Sequence, residues 1–247
     1  MLRKIVFNSH MFKYCTYLSF QKFLMRFILV IAVVMLQIPV ANGFNSTWKS
    51  DFTWYSSKYY KDLEYFGAWF VQFGGGGTVG IESNKTNTWM HLSPKAATAP
   101  DITHASLATT HSFAAPFQFQ SKISTVKQLR TGSTPNAWEV AWVVWNYTDN
   151  DHFYYFIPKP NGWELGKRDP AYPGGQRFLA TGSNIKFPIR KNYVVDISQD
   201  SSNKISVFVN STKITSFTDT ENPYKSGMIG VYTEDAHIHF DDVLVSY

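Results

Sequence analysis

The chain has 247 residues, with 23 Lys+Arg against 18 Asp+Glu and a single cysteine. Five of the basic residues (Arg3, Lys4, Lys13, Lys22 and Arg26) precede residue 43 with no acidic residue among them, so the remainder is balanced at 18 against 18. A neutral body excludes nucleic-acid binding through bulk charge. A body without cysteine excludes disulfides, which leaves a packed core or a bound metal to stabilise it.

The first element in chain order is a leader. Phe27 to Leu36 is an unbroken apolar run, followed by Pro39, Ala41 and Gly43. A short apolar core behind a basic stretch, with small residues at −3 and −1, is the secretory pattern, and it predicts a signal peptide over 1–43 cleaved after Gly43. The run falls short of the ~20 residues of a membrane-spanning helix. An uncleaved anchor over 23–40, with Arg26 reaching the interface, is the alternative and the one route to a membrane. Met25-Arg26 directly before the apolar core makes Met25 a second candidate start. Cys15 leaves with the leader. The expected location is secreted or at the cell surface.

Residues 44–66 are aromatic (Trp48, Trp54, Tyr55, Tyr59, Tyr60) but poorly periodic. They read as an extended arm across a sheet, with a short helix around 56–65. From residue 67 to 247 alternating runs dominate and no helical period appears. Strands are expected at 69–73, 79–82, 88–92, 104–109, 117–126, 138–146, 153–158, 162–168, 177–181, 193–198, 204–209, 212–217, 227–233 and 237–246. Turn residues fill the gaps, among them Gly74 to Gly77, read as a hairpin tip, and Pro160-Asn161-Gly162. The spacing is that of one β-sandwich or barrel domain.

The stretch 137–168 carries the densest signal. Alternation over 138–145 puts Trp138, Val140, Trp142 and Val144 on one face, and Glu139, Ala141, Val143 and Trp145 on the other. The first set is the more continuously apolar and is expected to be core. That leaves Glu139 and Trp145 on a second, wetter surface. Phe153 to Phe156 and Trp163-Glu164-Leu165 form the next strands of a meander.

Taken together, Trp138 to Trp145 followed by Asp151 to Phe156, then Asn161 to Lys167, Ile205 to Asn210, Gly227 to Ala236 and Phe240-Asp241-Asp242-Val243 resemble the concanavalin A-like jelly-roll domains. Within them the order is most similar to the 3-keto-disaccharide hydrolase, or family 16-like glycosidase, domain group. The likeness covers 115–247 well and 65–114 loosely. It implies an all-β, two-sheet antiparallel jelly-roll sandwich with a carbohydrate-facing concave sheet. The Glu-x-Asp-x-x-Glu motif of the retaining glucanases is missing, since Glu139 is followed by Ala141 rather than Asp.

Candidate chemistry follows from residue type. Glu139, Glu164 and Asp169 are the carboxylates for an acid/base or nucleophile pair, with Glu139 and Glu164 the catalytic choice if the domain is an enzyme, because a carboxyl pair is the minimum for most glycosidases. The alternative for all three is an ordinary solvent-facing carboxylate. Trp145, Tyr155 and Trp163 are candidate sugar platforms, since a flat ring matches the C–H face of a pyranose; their alternative is core packing. Arg168 could fork onto sugar hydroxyls or a carboxylate, with Asp169 beside it, against a surface ion pair. Asp241 and Asp242, with Glu234-Asp235 before them, are the candidate oxygen ligands of a structural Ca²⁺, although alternation lets only one of the pair face a given site. No other cofactor is indicated. His237 and His239 share a strand face, but no third zinc ligand is evident, so they read as half-exposed strand histidines. Sequons occur at Asn45, Asn84, Asn146 and Asn210.

The leading functional reading is a secreted carbohydrate-binding jelly roll, its partner a glycan or oligosaccharide. The alternatives are a glycoside hydrolase of the 3-keto-disaccharide type and a structural or adhesive envelope protein docking through 44–66.

Overall fold

Alternating burial is the local rule from which the molecule is built. The computed structural model describes residues 43–247, and the leader through residue 42 lies outside them. In chain order the strands are β1 (Thr47–Ser50), β2 (Lys58–Tyr60), β3 (Tyr65–Phe66), β4 (Trp69–Phe73), β5 (Thr78–Ser83), β6 (Thr88–Ser93), β7 (Ala105–Ala114), β8 (Phe117–Gln128) and β9 (Ala141–Asp149). They continue with β10 (His152–Lys159), β11 (Gly162–Arg168), β12 (Gln176–Gly182), β13 (Asn192–Gln199), β14 (Lys204–Val209), β15 (Thr212–Thr218), β16 (Ser226–Glu234) and β17 (Ala236–Ser246). Among the described residues the helical element is one 3₁₀ turn, Pro173–Gly175.

Strand β8 shows why the chain chooses strand. Phe117, Phe119, Ser121, Ile123 and Thr125 point inward, while Gln118, Gln120, Lys122 and Ser124 are half-exposed between them. A period of two fits a pleated ribbon with one buried face and no other regular element.

The strands form two antiparallel sheets. Sheet 1 runs β15-β14-β13-β8-β17-β6-β5-β2, with β1 also on β17, and sheet 2 runs β12-β11-β10-β9-β16-β7-β4-β3. Strand β17 bends at a bulge between Asp241 and Leu244, where Asp242 takes φ 51°. Before the bulge β17 pairs with β6, and after it with β1. The core between the sheets includes Trp69, Phe119, Val143, Trp145, Tyr154, Phe156, Leu165, Ile197, Ile238 and Phe240.

Two local expectations are corrected. Gly74 to Gly77 is not a hairpin tip but the crossing from β4 in sheet 2 to β5 in sheet 1. A Cβ at Gly75 would run into the Ala105 carbonyl, and one at Gly77 into the Ser93 carbonyl, so the backbones approach too closely for any side chain. Residues 56–65 form no helix. The 44–66 segment instead adds β1 and β2 to sheet 1 and β3 to sheet 2, and Trp48, Tyr55 and Tyr60 pack against the core.

Candidate functional site

The meander β9-β10-β11-β12 sets the outer face of sheet 2. Two-residue turns, Asn150-Asp151 and Pro160-Asn161, join its first three strands. The second turn pairs Lys159 with Gly162, and therefore Ile157 with Glu164, Tyr155 with Gly166 and Phe153 with Arg168. Across β9, Tyr155 pairs with Val144, and across β16, Trp142 pairs with Tyr232. All of these residues stand on the face turned away from sheet 1. There, Leu107, Val140, Trp142, Val144, Tyr147, Phe153, Tyr155 and Ile157 form a second apolar cluster, separate from the core.

This parity is the reverse of the expected one. The Trp138/Val140/Trp142/Val144 face looks outward, and the Ala141/Val143/Trp145 face is the core. Trp145 is 0% exposed, stacked on Tyr154 with ring centroids 5.5 Å apart, and its Nε1 donates to Gln199 Oε1 at 3.3 Å. It offers no free ring to a ligand. Glu139 is also 0% exposed. Its Oε1 accepts from Arg130 Nε at 2.6 Å and from Asn136 Nδ2 at 2.8 Å. Arg130 also donates to Asp235 Oδ2 at 3.0 Å and to the carbonyls of Ala99 and Ile102. Arg130 thus ties Glu139 to the loops that carry Ala99, Ile102 and Asp235, and Glu139 faces no solvent. Neither residue stands on the wet surface assigned to it.

The outer apolar cluster floors a groove of about 310 Å³. Trp142 lies between Tyr155 and Tyr232, at 5.2 and 4.8 Å between centroids, and its Nε1 donates to the Trp138 carbonyl at 2.7 Å. Asn150, Asp151, Arg168, Gln176 and Glu234 complete the lining. Tyr155 lies flat over Gly166, where a Cβ would collide with its hydroxyl. The phenol accepts from Gln176 Nε2 at 2.8 Å and donates to Glu164 Oε1 at 2.9 Å. Burial and the Glu164 carboxylate push its pKa up, so it remains a donor. Tyr232 donates to Glu234 Oε1 at 2.7 Å. Burial raises the Glu234 carboxyl above its ordinary value.

Of the residues singled out from sequence, Tyr155 and Arg168 line the groove. Arg168 is partly exposed, with Nη2 3.2 Å from Asp151 Oδ1. Glu164 stands on the same face, but its carboxylate is held by Lys159 at 2.8 Å and by Tyr155. It therefore shares no site with the sealed Glu139. Trp163 points the other way into the core, its Nε1 donating to Asn184 Oδ1 at 3.3 Å. Asp169 is buried beside Lys167 at 3.4 Å, and Lys167 in turn donates to Asp219 Oδ2 at 2.8 Å. This charged cluster anchors the loops at 169–175 and 219–224 and does not line the groove. Trp142, Tyr147, Tyr232 and Glu234 were missed as groove residues. The signal was available, because β11 alternates Trp163, Leu165, Lys167 against Glu164, Gly166, Arg168, and a two-residue turn carries that parity into β10.

On the outer face of sheet 1, Asp241 accepts from Asn87 Nδ2 at 2.8 Å and from the Asp242 amide at 2.8 Å, while Asp242 is exposed and 3.9 Å from Lys122 Nζ. The two carboxylates serve the bulge and its neighbours rather than converging on one point. Among the described residues, Glu82, His237 and His239 form a group that could hold a metal ion, their donor atoms all lying within 4.8 Å of one another.

No protein-family model matches the chain, and no curated protein matches its sequence. Solved structures do match. The carbohydrate-binding module CBM66 from Bacillus subtilis superposes with TM-score 0.53 at 12% identity, over 73% of this chain and 96% of that one. The fold is a concanavalin A-like jelly roll. A Bacillus subtilis protein of unknown function with a galectin-like fold gives TM-score 0.51 at 12% identity, over 81% of this chain and 98% of that one. The Bacteroides ovatus mixed-linkage glucan GH16 protein in complex with its G4G4G3G product gives 0.51 at 8% identity, over 81% and 98%. At such identities the jelly roll shares architecture with these proteins and not residues. Among the described residues no helix is long and apolar enough to cross a membrane.

Proposed function

We propose that this chain is a secreted carbohydrate-binding domain that takes a glycan in the groove on the outer face of sheet 2. One observation carries the reading: a groove of about 310 Å³ with Trp142, Tyr147, Phe153, Tyr155 and Tyr232 among its apolar lining and Asn150, Asp151, Arg168, Gln176 and Glu234 among its polar groups. Aromatic faces take up the C–H surface of a sugar ring, and a few placed donors and acceptors fix its hydroxyls. Arg168, the cation of the lining, suits a hydroxyl pair or a uronate carboxylate. The sugar-binding neighbours among the solved structures and the export leader agree with this reading.

The test is calorimetric titration with neutral and acidic oligosaccharides. Binding to one class is expected, weakened about tenfold or more (~1.4 kcal/mol per tenfold) by Trp142→Ala and by Arg168→Ala in folded protein. Silence across the panel, or affinity untouched by both changes, would remove the groove as the site.

A hydrolytic reading, with cleavage of 3-keto-glycosides as its candidate reaction, has one observation in its favour. Glu234 is a groove carboxyl whose burial raises its pKa, the condition for a general acid. Sugar released by the wild type, and lost in Glu234→Gln with binding retained, would establish it. It replaces Glu139 and Glu164 in that role, since both are already held by cations.

A further inference from the structure

The outer face of sheet 1 carries a second constellation, on the opposite side of the sandwich from the groove. Strand β17 turns Ala236, Ile238 and Phe240 into the core and therefore His237 and His239 outward. Strands β5 and β6 do the same with Ile81 and Met90, which turns Glu82 and His91 outward. Register completes the convergence: His239 pairs with His91 across β17 and β6, and His91 with Gly80 across β6 and β5. Three strands thus bring together donors separated by some 155 positions of sequence, which is why chain-order reading found no third ligand.

We infer that Glu82, His237 and His239 form a binding site for a borderline transition-metal dication, zinc first. His237 Nε2 and His239 Nε2 are 3.2 Å apart, and His239 Nε2 is 3.5 Å from Glu82 Oε2. Donors about 2.0–2.1 Å from a tetrahedral zinc stand about 3.3 Å apart, so these separations are edges of that tetrahedron.

A second, independent feature points into the same place. The His91 ring is 1% exposed, and its Nδ1 has no hydrogen-bond partner while lying 3.5 Å from the other oxygen of Glu82, Oε1. Its Nε2 is 3.2 Å from Thr78 Oγ1, and it packs against the rings of Tyr59 and His237. An imidazole behind a ligating carboxylate is the outer-shell arrangement that orients such ligands. The ligand set is two nitrogens and one oxygen, which favours zinc over calcium. Three protein ligands leave the fourth position to water or to a donor from a partner, and side-chain exposures of 26% for His239 and 33% for Glu82 keep the site reachable. The ion would tie β5 to β17 across β6, in a chain whose sole cysteine lies in the leader.

The test uses the full chain, stripped with chelator and titrated with Zn²⁺, Co²⁺ and Ca²⁺ in a calorimeter. One Zn²⁺ per chain and a raised Tm are expected, with no heat from Ca²⁺ at this site. Binding should weaken at least tenfold in Glu82→Gln and vanish in His237→Gln/His239→Gln, while Asp241→Asn/Asp242→Asn leaves it unchanged. Imidazole ¹⁵N shifts of the wild type provide a readout independent of any variant: His237 and His239 should move with Zn²⁺ while His104 and His152 stay. Absence of Zn²⁺ and Co²⁺ binding by the wild type overturns the assignment. So does binding retained in the double histidine variant, or shifts confined to other histidines.

Discussion

Arg130 Nε donates to Glu139 Oε1 across 2.6 Å, and neither side chain reaches solvent. The same guanidinium reaches Asp235 at the β16–β17 turn, so one cation balances two buried carboxylates. Removing it leaves both uncompensated in a low dielectric. Arg130→Met is expected to cost about 3–5 kcal/mol, read as a lowered midpoint in urea with an unchanged slope. Glu139→Gln should also reduce stability. Any loss of function it brings should disappear once the folded fraction is corrected for.

The two tryptophans of β9 should separate stability from binding. Trp145 is enclosed by Phe119, Tyr154 and Gln199 in the core. Trp145→Ala is expected to lower stability by about 3–5 kcal/mol in chemical denaturation. Trp142 lines the groove instead, so Trp142→Ala should affect glycan affinity in protein that remains folded.

Asp219 supplies a pH dependence of known sign. Burial alone would raise its carboxyl, but hydrogen bonds from Lys167 and Tyr154 outweigh that and hold it below 3.8. A depressed folded value means the stabilisation is present above the unfolded value and is lost as pH falls through the folded one. The stability gap between the wild type and Asp219→Asn should therefore be widest near neutrality and close below pH 3.8, as urea melts across that range would record.

Sequence alone treats the four sequons alike, and the structure does not. Asn146 is buried, its Nδ2 donating to Gln199 Oε1 at 2.9 Å and to the Tyr224 carbonyl at 2.7 Å. Asn45, Asn84 and Asn210 are exposed. In a glycosylating host, peptide mapping should find Asn146 unmodified in folded protein. Asn146→Gln should destabilise by about 1–3 kcal/mol through the partners it leaves unpaired.

The strands of the sandwich were legible because β-branched and aromatic residues alternate cleanly between turn residues. Strands β1 to β3 were not, since they are only four, three and two residues long and β1 takes its pairing from β17 at the other end of the chain. The error that mattered was parity in β9. Both of its faces are apolar, so hydrophobicity could not say which one seals the core. Glu139 is sealed by Arg130, 9 positions away, and Arg130 is itself shared with Asp235, 105 positions further on, so nothing local signals the burial. Strand β11, one strand beyond β10, held the answer: Glu164, Gly166 and Arg168 share one face, while Trp163 and Leu165 with the single charge Lys167 take the other. The histidine site was illegible for the same reason as the arm: its third ligand is contributed by another strand.

The central claim is that ligands meet the Trp142 face of sheet 2. The most direct measurement follows the indole N–H signals of the ¹⁵N-labelled protein while a glycan from the responsive class is titrated in. Trp142 should shift with saturable dependence on sugar concentration, with Trp145 and Trp89 still. Movement of Trp89 on sheet 1, with Trp142 unmoved at saturation, would contradict the account.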